Sequence, residues 1–439
     1  MVGCKQSALR SGGIRCERCG PGAMTCHYTY RCGRSAFLHM KSYKRLSARI
    51  ERDKERKRKN RAARQAEHGT LSAVNTYTNW IRAVHLSGKG TAHKRSVTAF
   101  RDRVILEICG MINTINAGGL PDVATNREIW IRERGKKRKI TPITVADRTM
   151  QHVICDNAIS PLTATTAIRQ NCANQAGKGT SDARELLDGY IEKAKREWPE
   201  IWALLFDFQN YFGSVPHCRI HEILQRLVDD PDLVLLVIAV VQSYQLAQLR
   251  KRRKEDPRYT SEMFAADEAA ILRHEGIGMC LGSQISQDMA VLVPDSIDKE
   301  IKKTMGKYIR FADDGIILWH NREDLERLRD LISAKAEEIG LKLHPHKSVI
   351  VRADLGFEFL KVRYRIAGGK TIKRLDRRGV YRMKRKLRKF RKLVSEGKMN
   401  LDDVYFSLQS WESHTRGTRC RRTLKSIDKL YYEMFGGIE

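Results

Sequence analysis

Tyr308-Ile309-Arg310-Phe311-Ala312-Asp313-Asp314-Gly315 is the stretch on which the fold of this chain turns. Strand-forming residues lead into two adjacent carboxylates, a glycine follows, and Ile316-Ile317-Leu318-Trp319 resumes the apolar run. The pattern predicts a β-hairpin over Lys307 to Trp319 with the acid pair at its turn. Two carboxylates side by side at a strand turn repel each other unless a cation lies between them. Alone, Asp-Asp-Gly is also ordinary turn chemistry. The segments around it decide.

Upstream, Ile201 to Asp207 is a short apolar run ending in an acid, Leu204-Leu205-Phe206-Asp207-Phe208, and reads as a buried strand. If Asp207, Asp313 and Asp314 converge, two Mg²⁺ ions about 4 Å apart (with Mn²⁺ as a substitute) would relieve the repulsion. They would also make a catalytic device. One ion lowers the pKa of an attacking 3′-hydroxyl, and the other stabilises a departing pyrophosphate.

The bulk of the chain agrees with a polyanionic substrate. Lys and Arg number 82 against 51 Asp and Glu, a net charge of +31 over 439 residues. Nucleic acid is the commonest soluble polyanion, with an anionic membrane surface as the alternative. A hydrophobic content of 41% excludes a disordered chain and allows two or three packed subdomains. The longest apolar run, Leu233 to Val241, is about half of a bilayer span and reads as a buried helix. Residues 1–39 lack a charged-then-apolar signal pattern, which points to the cytosol. The eleven cysteines, in a chain this long, do not form a secreted disulfide framework.

Residues 1–39 carry Cys4, Cys16, Cys19, Cys26 and Cys32 without helical or strand period, and read as disordered or as a mis-assigned start before Met40. Cys16-Glu-Arg-Cys19 has zinc-knuckle spacing that Cys26 and Cys32 do not complete. From Met40 to about His68 runs a basic stretch, Arg56-Lys57-Arg58-Lys59 with Arg61 and Arg64, either a solvated helix or an RNA-binding arm. Residues 70–135 mix helix and loop. An extended segment then begins near Arg138, and helices are expected over 146–159, 217–227, 232–246 and 288–305, with a charged insertion at 248–275. Leu325, Leu328, Ile332, Ala336 and Ile339 fall at helical spacing, residues 356–364 read as a strand pair, and a basic helical region runs from Arg377 to the end.

Taken in order from about Arg138 onward, these segments resemble the reverse transcriptase family, specifically its prokaryotic branch. The resemblance implies an α+β, right-hand polymerase fold: a basic extension at 40–135, fingers at 136–200, a palm at 201–365 and a basic helical thumb at 366–439. The palm would be an antiparallel sheet with helices on one face. It implies an RNA-directed DNA polymerase with an RNA template, a DNA or RNA primer, dNTPs and Mg²⁺, in a bacterial or phage cytoplasm and with no membrane. Asp207, Asp313 and Asp314 would be catalytic metal ligands, with Phe208 in both the metal and nucleotide sets.

Arg138, Lys139 and Arg148 resemble the fingers groups that hold the incoming triphosphate. Phe212, five residues after Asp207, matches the steric gate that leaves no room for a 2′-hydroxyl. Gly282 and Gln287 lie in Gly276-Ile-Gly-Met-Cys-Leu-Gly-Ser-Gln-Ile-Ser-Gln287, similar to the second palm motif, whose glycines let the backbone approach template and nucleotide. Lys347, in Leu343-His-Pro-His-Lys-Ser348, matches a lysine that protonates pyrophosphate. Lys178, in Gln175-Ala-Gly-Lys-Gly-Thr180, would line the template path, and Phe359 and Leu360 would form the primer grip. In the thumb, Lys384, Arg385, Arg388 and Lys392 would meet the duplex backbone, with Val380, Met383, Leu387, Phe390 and Val394 turned inward. Trp411 and His414 would pack the thumb's second helix.

Viral RNA-dependent RNA polymerases share the palm but usually carry an Asp at the Phe212 position, an Asn in the second motif and a Gly before the Asp pair, all missing here. Group II intron and many retron enzymes end the second motif in Ser-Pro. Ser286-Gln287 instead resembles diversity-generating retroelement enzymes, which miscopy template adenines and work with a small helical accessory protein. The 248–275 insertion departs from compact members of that group and leaves open a phage-defence or unclassified bacterial enzyme served by a structured non-coding RNA. The retron thumb signature Val-Thr-Gly is missing. About 75 residues after the primer grip leave no room for maturase, endonuclease or ribonuclease H domains. The remaining alternative is a non-catalytic RNA-binding scaffold, which would not need three acids.

Overall fold

The computed structural model describes residues 33–122, 128–133, 136–413, 415, 418 and 420–436. The chain divides into two units, Met1–Ala63 and Arg64–Glu439. Cysteines 4 to 32 and His414 lie outside the described residues.

Helix α1 (Gly33–His68) carries exposed pairs one turn apart, Lys54–Glu51 at 2.7 Å and Arg56–Asp53 at 3.0 Å. Such pairs stabilise a solvated helix by a few tenths of a kcal/mol, so both readings of the basic stretch stand. It is followed by α2 (Leu71–Val74), α3 (Tyr77–Ser87), α4 (Arg95–Asp102) and α5 (Val104–Asn116). Strands β1 (Ile129–Glu133) and β2 (Lys136–Ile140) pair antiparallel. Helix α6 (Val145–Ile154) passes through a π turn at Cys155–Ile159 into α7 (Ser160–Thr166), and α8 (Thr180–Glu197) follows. Then come β3 (Trp202–Asp207), α9 (Tyr211–Ser214), α10 (His217–Leu227), α11 (Pro231–Glu255), α12 (Ser261–Leu272), α13 (Gln284–Leu292) and α14 (Asp295–Thr304). The hairpin β4 (Tyr308–Phe311) and β5 (Asp314–Trp319) leads to α15 (Arg322–Glu338), β6 (Val349–Arg352), β7 (Phe357–Phe359), β8 (Val362–Ala367) and β9 (Lys370–Leu375). The chain closes with α16 (Arg377–Ser395), α17 (Leu401–Ser413) and α18 (Arg421–Phe435).

Strands β4-β5-β3-β6 form one antiparallel sheet in that order, and β7-β8-β9 form another. Side chains alternate across a strand. Leu204 and Phe206 of β3, Tyr308 of β4 and Ile317 of β5 therefore enter one core. Ala203, Ile309, Ile316 and Leu318 enter a second core on the opposite face. The first core is helical, drawing Ile220 from α10, Met289 from α13 and Leu325, Leu328 and Ile332 from α15. The second holds Leu187 and Ile191 of α8 with Phe357, Phe359 and Tyr364 of the smaller sheet. Burial on both faces is why β3 reads as an unbroken apolar run and not as an alternation. It also corrects the expectation of helices on one face only.

Four further expectations change. The helix expected over 232–246 does not stop before the 248–275 insertion: α11 runs straight through Arg250–Lys254 and turns back as α12. That hairpin packs on itself, with Arg252 over the Tyr259 ring at 4.1 Å and Arg253 over Phe264 at 4.8 Å. The single helix expected over 288–305 is two, α13 and α14, broken at Pro294, which lacks the N–H a continuous helix needs. Strand β9 extends sheet structure past residue 365, so the segment expected to be helical from 366 opens with a strand, and its helices begin at Arg377. Strand β6 is an edge strand the sequence reading did not foresee. The apolar stretch at 233–241 lies within α11 and is mostly buried, with Leu235 exposed; α11 is the one described helix long and apolar enough to span a membrane. Helices α16, α17 and α18 share a small core of Met383, Leu387, Phe390, Val404, Leu408 and Ile427, against which Trp411 packs.

Candidate active site

The register of the large sheet brings the acids together. Asp207 ends β3 and faces Asp314, the first residue of β5, as its cross-strand partner. Directly opposed residues of an antiparallel pair have Cβ atoms about 5 Å apart and share a face. Asp313 precedes Asp314 in the turn, entered through Ala312 at φ +56°. Gly315 is required there because any Cβ would fall inside the Phe206 ring across the strand. Beside β3, Gln209 N donates to Lys342 O (2.8 Å) and His344 N to Asp207 O (2.7 Å), so the 342–347 segment runs along the same edge. Lys347 Nζ thereby reaches the Asp207 carboxylate and forms an ion pair with it.

Asp207 is buried, whereas Asp314 keeps access to solvent. Desolvation of the carboxyl by the surrounding protein, followed by the charges of Asp313 and Asp207, pushes Asp314 up to about 6 although the residue keeps an exposed side. Burial and the Asp207 charge also raise Asp313, opposed by the nearby cations of Lys347 and Arg138. These are three crowded carboxylates with too little positive charge among them. An all-oxygen, anionic donor set suits a hard divalent cation such as Mg²⁺ or Mn²⁺. Among the described residues no three Asp, Glu, His or Cys side chains are already drawn into a metal cage.

Behind the turn lies a group not foreseen as functional. Arg310 of β4 is wholly buried, and all five of its N–H donors are used. Nε and Nη2 grip Asp298 of α14 at 2.8 and 2.7 Å; Nη2 also reaches Val291 O (2.7 Å), and Nη1 reaches Ala290 O (3.3 Å) and Ala312 O (2.8 Å). Tyr308 OH donates to Asp298 (2.7 Å) and Tyr211 OH to Ala290 O (2.7 Å). One guanidinium thus ties the acid turn to the helix after the second motif. The signal was present: an arginine inside an apolar strand must have a buried partner.

The second-motif loop is held from below. Gln151 Nε2 donates to Asp147 Oδ1 (2.7 Å) and to Tyr244 OH (2.6 Å), while its carbonyl accepts from Ser283 Oγ (3.0 Å) and Gln284 N (2.7 Å). Gly282 sits at φ +105°, which favours glycine, and both it and Gln287 are exposed. Phe212 is half-buried between α9 and this loop, its carbonyl accepting from Met279 N at 2.7 Å.

Several expected residues are placed otherwise. The Phe208 ring is buried against Tyr211, so only its backbone faces the site. The Arg148 guanidinium donates to Ser87 O (3.1 Å), on the α3 side of α6. Lys139 pairs with Glu128 at 2.6 Å. The Lys178 ammonium is engaged by Asn171 O (2.9 Å) and Gln175 Oε1 (2.8 Å), and burial lowers its pKa; it ties its own loop, which corrects the template-path expectation. Phe359 is buried in the second core and offers no surface to a primer. Leu360 does reach the cleft, its carbonyl accepting from Arg184 at 2.6 Å. That cleft, about 690 Å³, is lined by Asp313, Asp314, Leu360 and Lys361 on one side and by Arg382, Met383, Lys386 and Trp411 on the other. Lys384 lines a different groove.

No curated protein sequence matches the chain. Among solved structures it is similar to apo telomerase from Candida tropicalis truncated from its C-terminal domain (12% identity, TM-score 0.37, covering 58% of this chain and 56% of that one). It is also similar to telomerase from Candida albicans in complex with a fragment of telomeric RNA (11% identity, TM-score 0.40, covering 72% and 63%). The chain thus spans less than two thirds of the length of either. The profile of the reverse transcriptase (RNA-dependent DNA polymerase) family matches residues 126–364, over half of the sequence and all of the hairpin and strand that carry the acids. The chain belongs to the reverse transcriptase family.

Proposed function

We propose that this protein is an RNA-directed DNA polymerase that adds deoxynucleotides to a primer 3′-hydroxyl, with Asp207, Asp313 and Asp314 holding two divalent cations. The observation that carries the reading is the cross-strand pairing of Asp207 with Asp314, next to Asp313, at the mouth of a cleft. When bound there, the cations would supply Lewis-acid activation of the primer hydroxyl and charge neutralisation of the leaving pyrophosphate. The carboxylates and the Phe208 backbone would orient that centre, and Arg310 would hold the turn so that it does not reorganise. Arg138, close enough for its charge to reach Asp313, would receive the triphosphate. Lys347 would give a proton to the pyrophosphate once its carboxylate partner is otherwise neutralised. Phe212 would bar a 2′-hydroxyl. Lys139, Gly282 and Gln287 border the incoming nucleotide in this reading, and an RNA template with a DNA or RNA primer would fill the cleft.

Asp207→Asn separates this from a scaffold. DNA synthesis should disappear while RNA binding stays within about twofold of wild type. Synthesis that survives, in an otherwise folded variant, would favour the scaffold.

We further infer a bacterial or phage cytoplasmic setting and a diversity-generating retroelement, on the strength of Ser286-Gln287. An exposed amide beside the templating position would loosen base selection at adenine. Misincorporation opposite template adenine should fall in Gln287→Pro, and an unchanged error rate would remove the assignment. The α11–α12 hairpin favours the second reading, a phage-defence or unclassified enzyme, because an added rigid element suits a dedicated RNA or protein partner.

A further inference from the structure

The cations of α16 do not all face the cleft. Arg382 and Lys386 line it together with Asp313 and Asp314. Arg377, Tyr381, Lys384 and Arg388 recur at steps of four, three and four, which places them along one separate face of the helix. Arg374 of β9 and Thr423 of α18 join that face to enclose a second groove of about 410 Å³. Leu375 and Val380 line both spaces and form the ridge between them. A duplex bound against the carboxylates would lie on one side of this ridge, leaving the other side open.

The outer groove has the composition of a nucleic-acid path. Among the described residues, Asp376 pairs with Arg382 and Glu396 with Lys392 of α16, and no carboxylate pairs with Arg377 or Arg388 of α16 or with Arg374 of β9, so these three keep their charge for a ligand. Lys384 is held in place by Ser426 at 2.9 Å. Tyr381 is 62% exposed, with its ring standing among these cations. An exposed aromatic amid guanidinium groups is how proteins hold single strands, by stacking a base and neutralising its phosphates. A solvated charged surface has no need of the aromatic.

We propose that this outer face binds a stretch of single-stranded RNA outside the cleft, an extension of the strand being copied. The choice of RNA rests on the polymerase reading above, whereas the groove itself does not. The placement also moves Lys384 and Arg388 from the duplex to the single strand.

The test uses the full chain with its cleft saturated by an unlabelled, blunt DNA–RNA duplex. A fluorescein-labelled, unstructured 12-nucleotide RNA is then titrated and followed by anisotropy. Wild type should bind it, and Tyr381→Ala should weaken binding roughly tenfold. Arg374→Ala/Arg377→Ala should lower the slope of log affinity against log salt by about 1.4, at about 0.7 per lost contact to a single strand. Single-nucleotide addition on a duplex with a one-nucleotide template overhang, too short to leave the cleft, should be unchanged in these variants. Asp207→Asn, which tests the polymerase reading, should leave the labelled RNA bound, so the two ideas fail separately. Absence of binding once the cleft is filled, displacement by a glutamate 12-mer as effectively as by RNA, or an equal loss of single-nucleotide addition on the short-overhang duplex would each overturn the proposal.

Discussion

Removing either half of the Arg310–Asp298 pair should do more than unfold a corner of the sheet. In Arg310→Met the Asp298 carboxylate keeps its bond from Tyr308 but loses both guanidinium contacts, and in Asp298→Leu a full positive charge is left buried. Breaking a buried pair from one side costs about 3–5 kcal/mol, because the survivor is neither solvated nor neutralised. The double variant Arg310→Met/Asp298→Leu leaves no such charge. What remains is the loss of donors to Ala290, Val291 and Ala312 carbonyls, about 1 kcal/mol each in net terms. The double variant should therefore be several kcal/mol more stable than the sum of the single changes, a coupling of at least about 2 kcal/mol. Arg310→Lys keeps the charge but has three donors where five are used, so it should rescue stability only in part. The activity consequence follows from Ala312, whose carbonyl the guanidinium fixes just before the acids. A shift of about 1 Å in reacting geometry costs on the order of a hundredfold in rate. In the double variant, kcat for single-nucleotide addition should fall about that much with little change in nucleotide KM. Urea unfolding of the four-member cycle, with pre-steady-state primer extension on the folded variants, measures both. Additive single-variant costs, or a fully active double variant, would refute the view that this guanidinium positions the turn.

Other outcomes follow from the same structure. Gly315→Ala should cost about 1–3 kcal/mol or more of stability in a urea titration, because the added methyl meets the Phe206 ring. Phe212→Ala should raise incorporation of ribonucleotides relative to deoxynucleotides in a gel-based extension assay; an unchanged ratio would assign the ring to packing alone. Burial pushes the Asp288 carboxyl up to about 7, with Ser160 (2.7 Å) its hydrogen-bond donor. The native chain thus holds this proton more tightly than the unfolded chain, whose Asp titrates near 3.9. The stability from this group is full below about pH 4, declines as pH rises through 7, and levels off above. The total loss is at most about 4 kcal/mol. Asp288→Asn should flatten the urea midpoint between pH 4 and 8, and a slope as steep as wild type would place the titration elsewhere.

Strands and their acids were readable because a strand buried on both faces leaves an unbroken apolar signature, and β3 and β5 both carry it. What lay beyond reading was long-range. Trp80, Ile108 and Met111 share the main core with Met150, a union that no local period in residues 70–116 announces. Strand β9, Lys370-Thr-Ile-Lys-Arg-Leu375, alternates too weakly to stand out from the basic helix after it. Lys178 looked like a free cation because sequence cannot show that its own loop turns carbonyls toward it. The alternation of Phe359 with exposed Glu358 is the local signal that turns its ring inward, away from a primer. The role of Arg310 is hidden in the sequence because its counter-charge, Asp298, lies on a different element.

Helix α11 carries a consequence of its own. Its 25 residues at 1.5 Å each make a rod of about 37 Å, rooted in the main core and doubled back on α12 at its far end. A fluorophore grafted at exposed Pro257 or Arg258 would be coupled through this helix to the main core, with the Arg252–Tyr259 contact left in place. The mast would turn small rotations of the copying engine into large, recordable displacements at its tip.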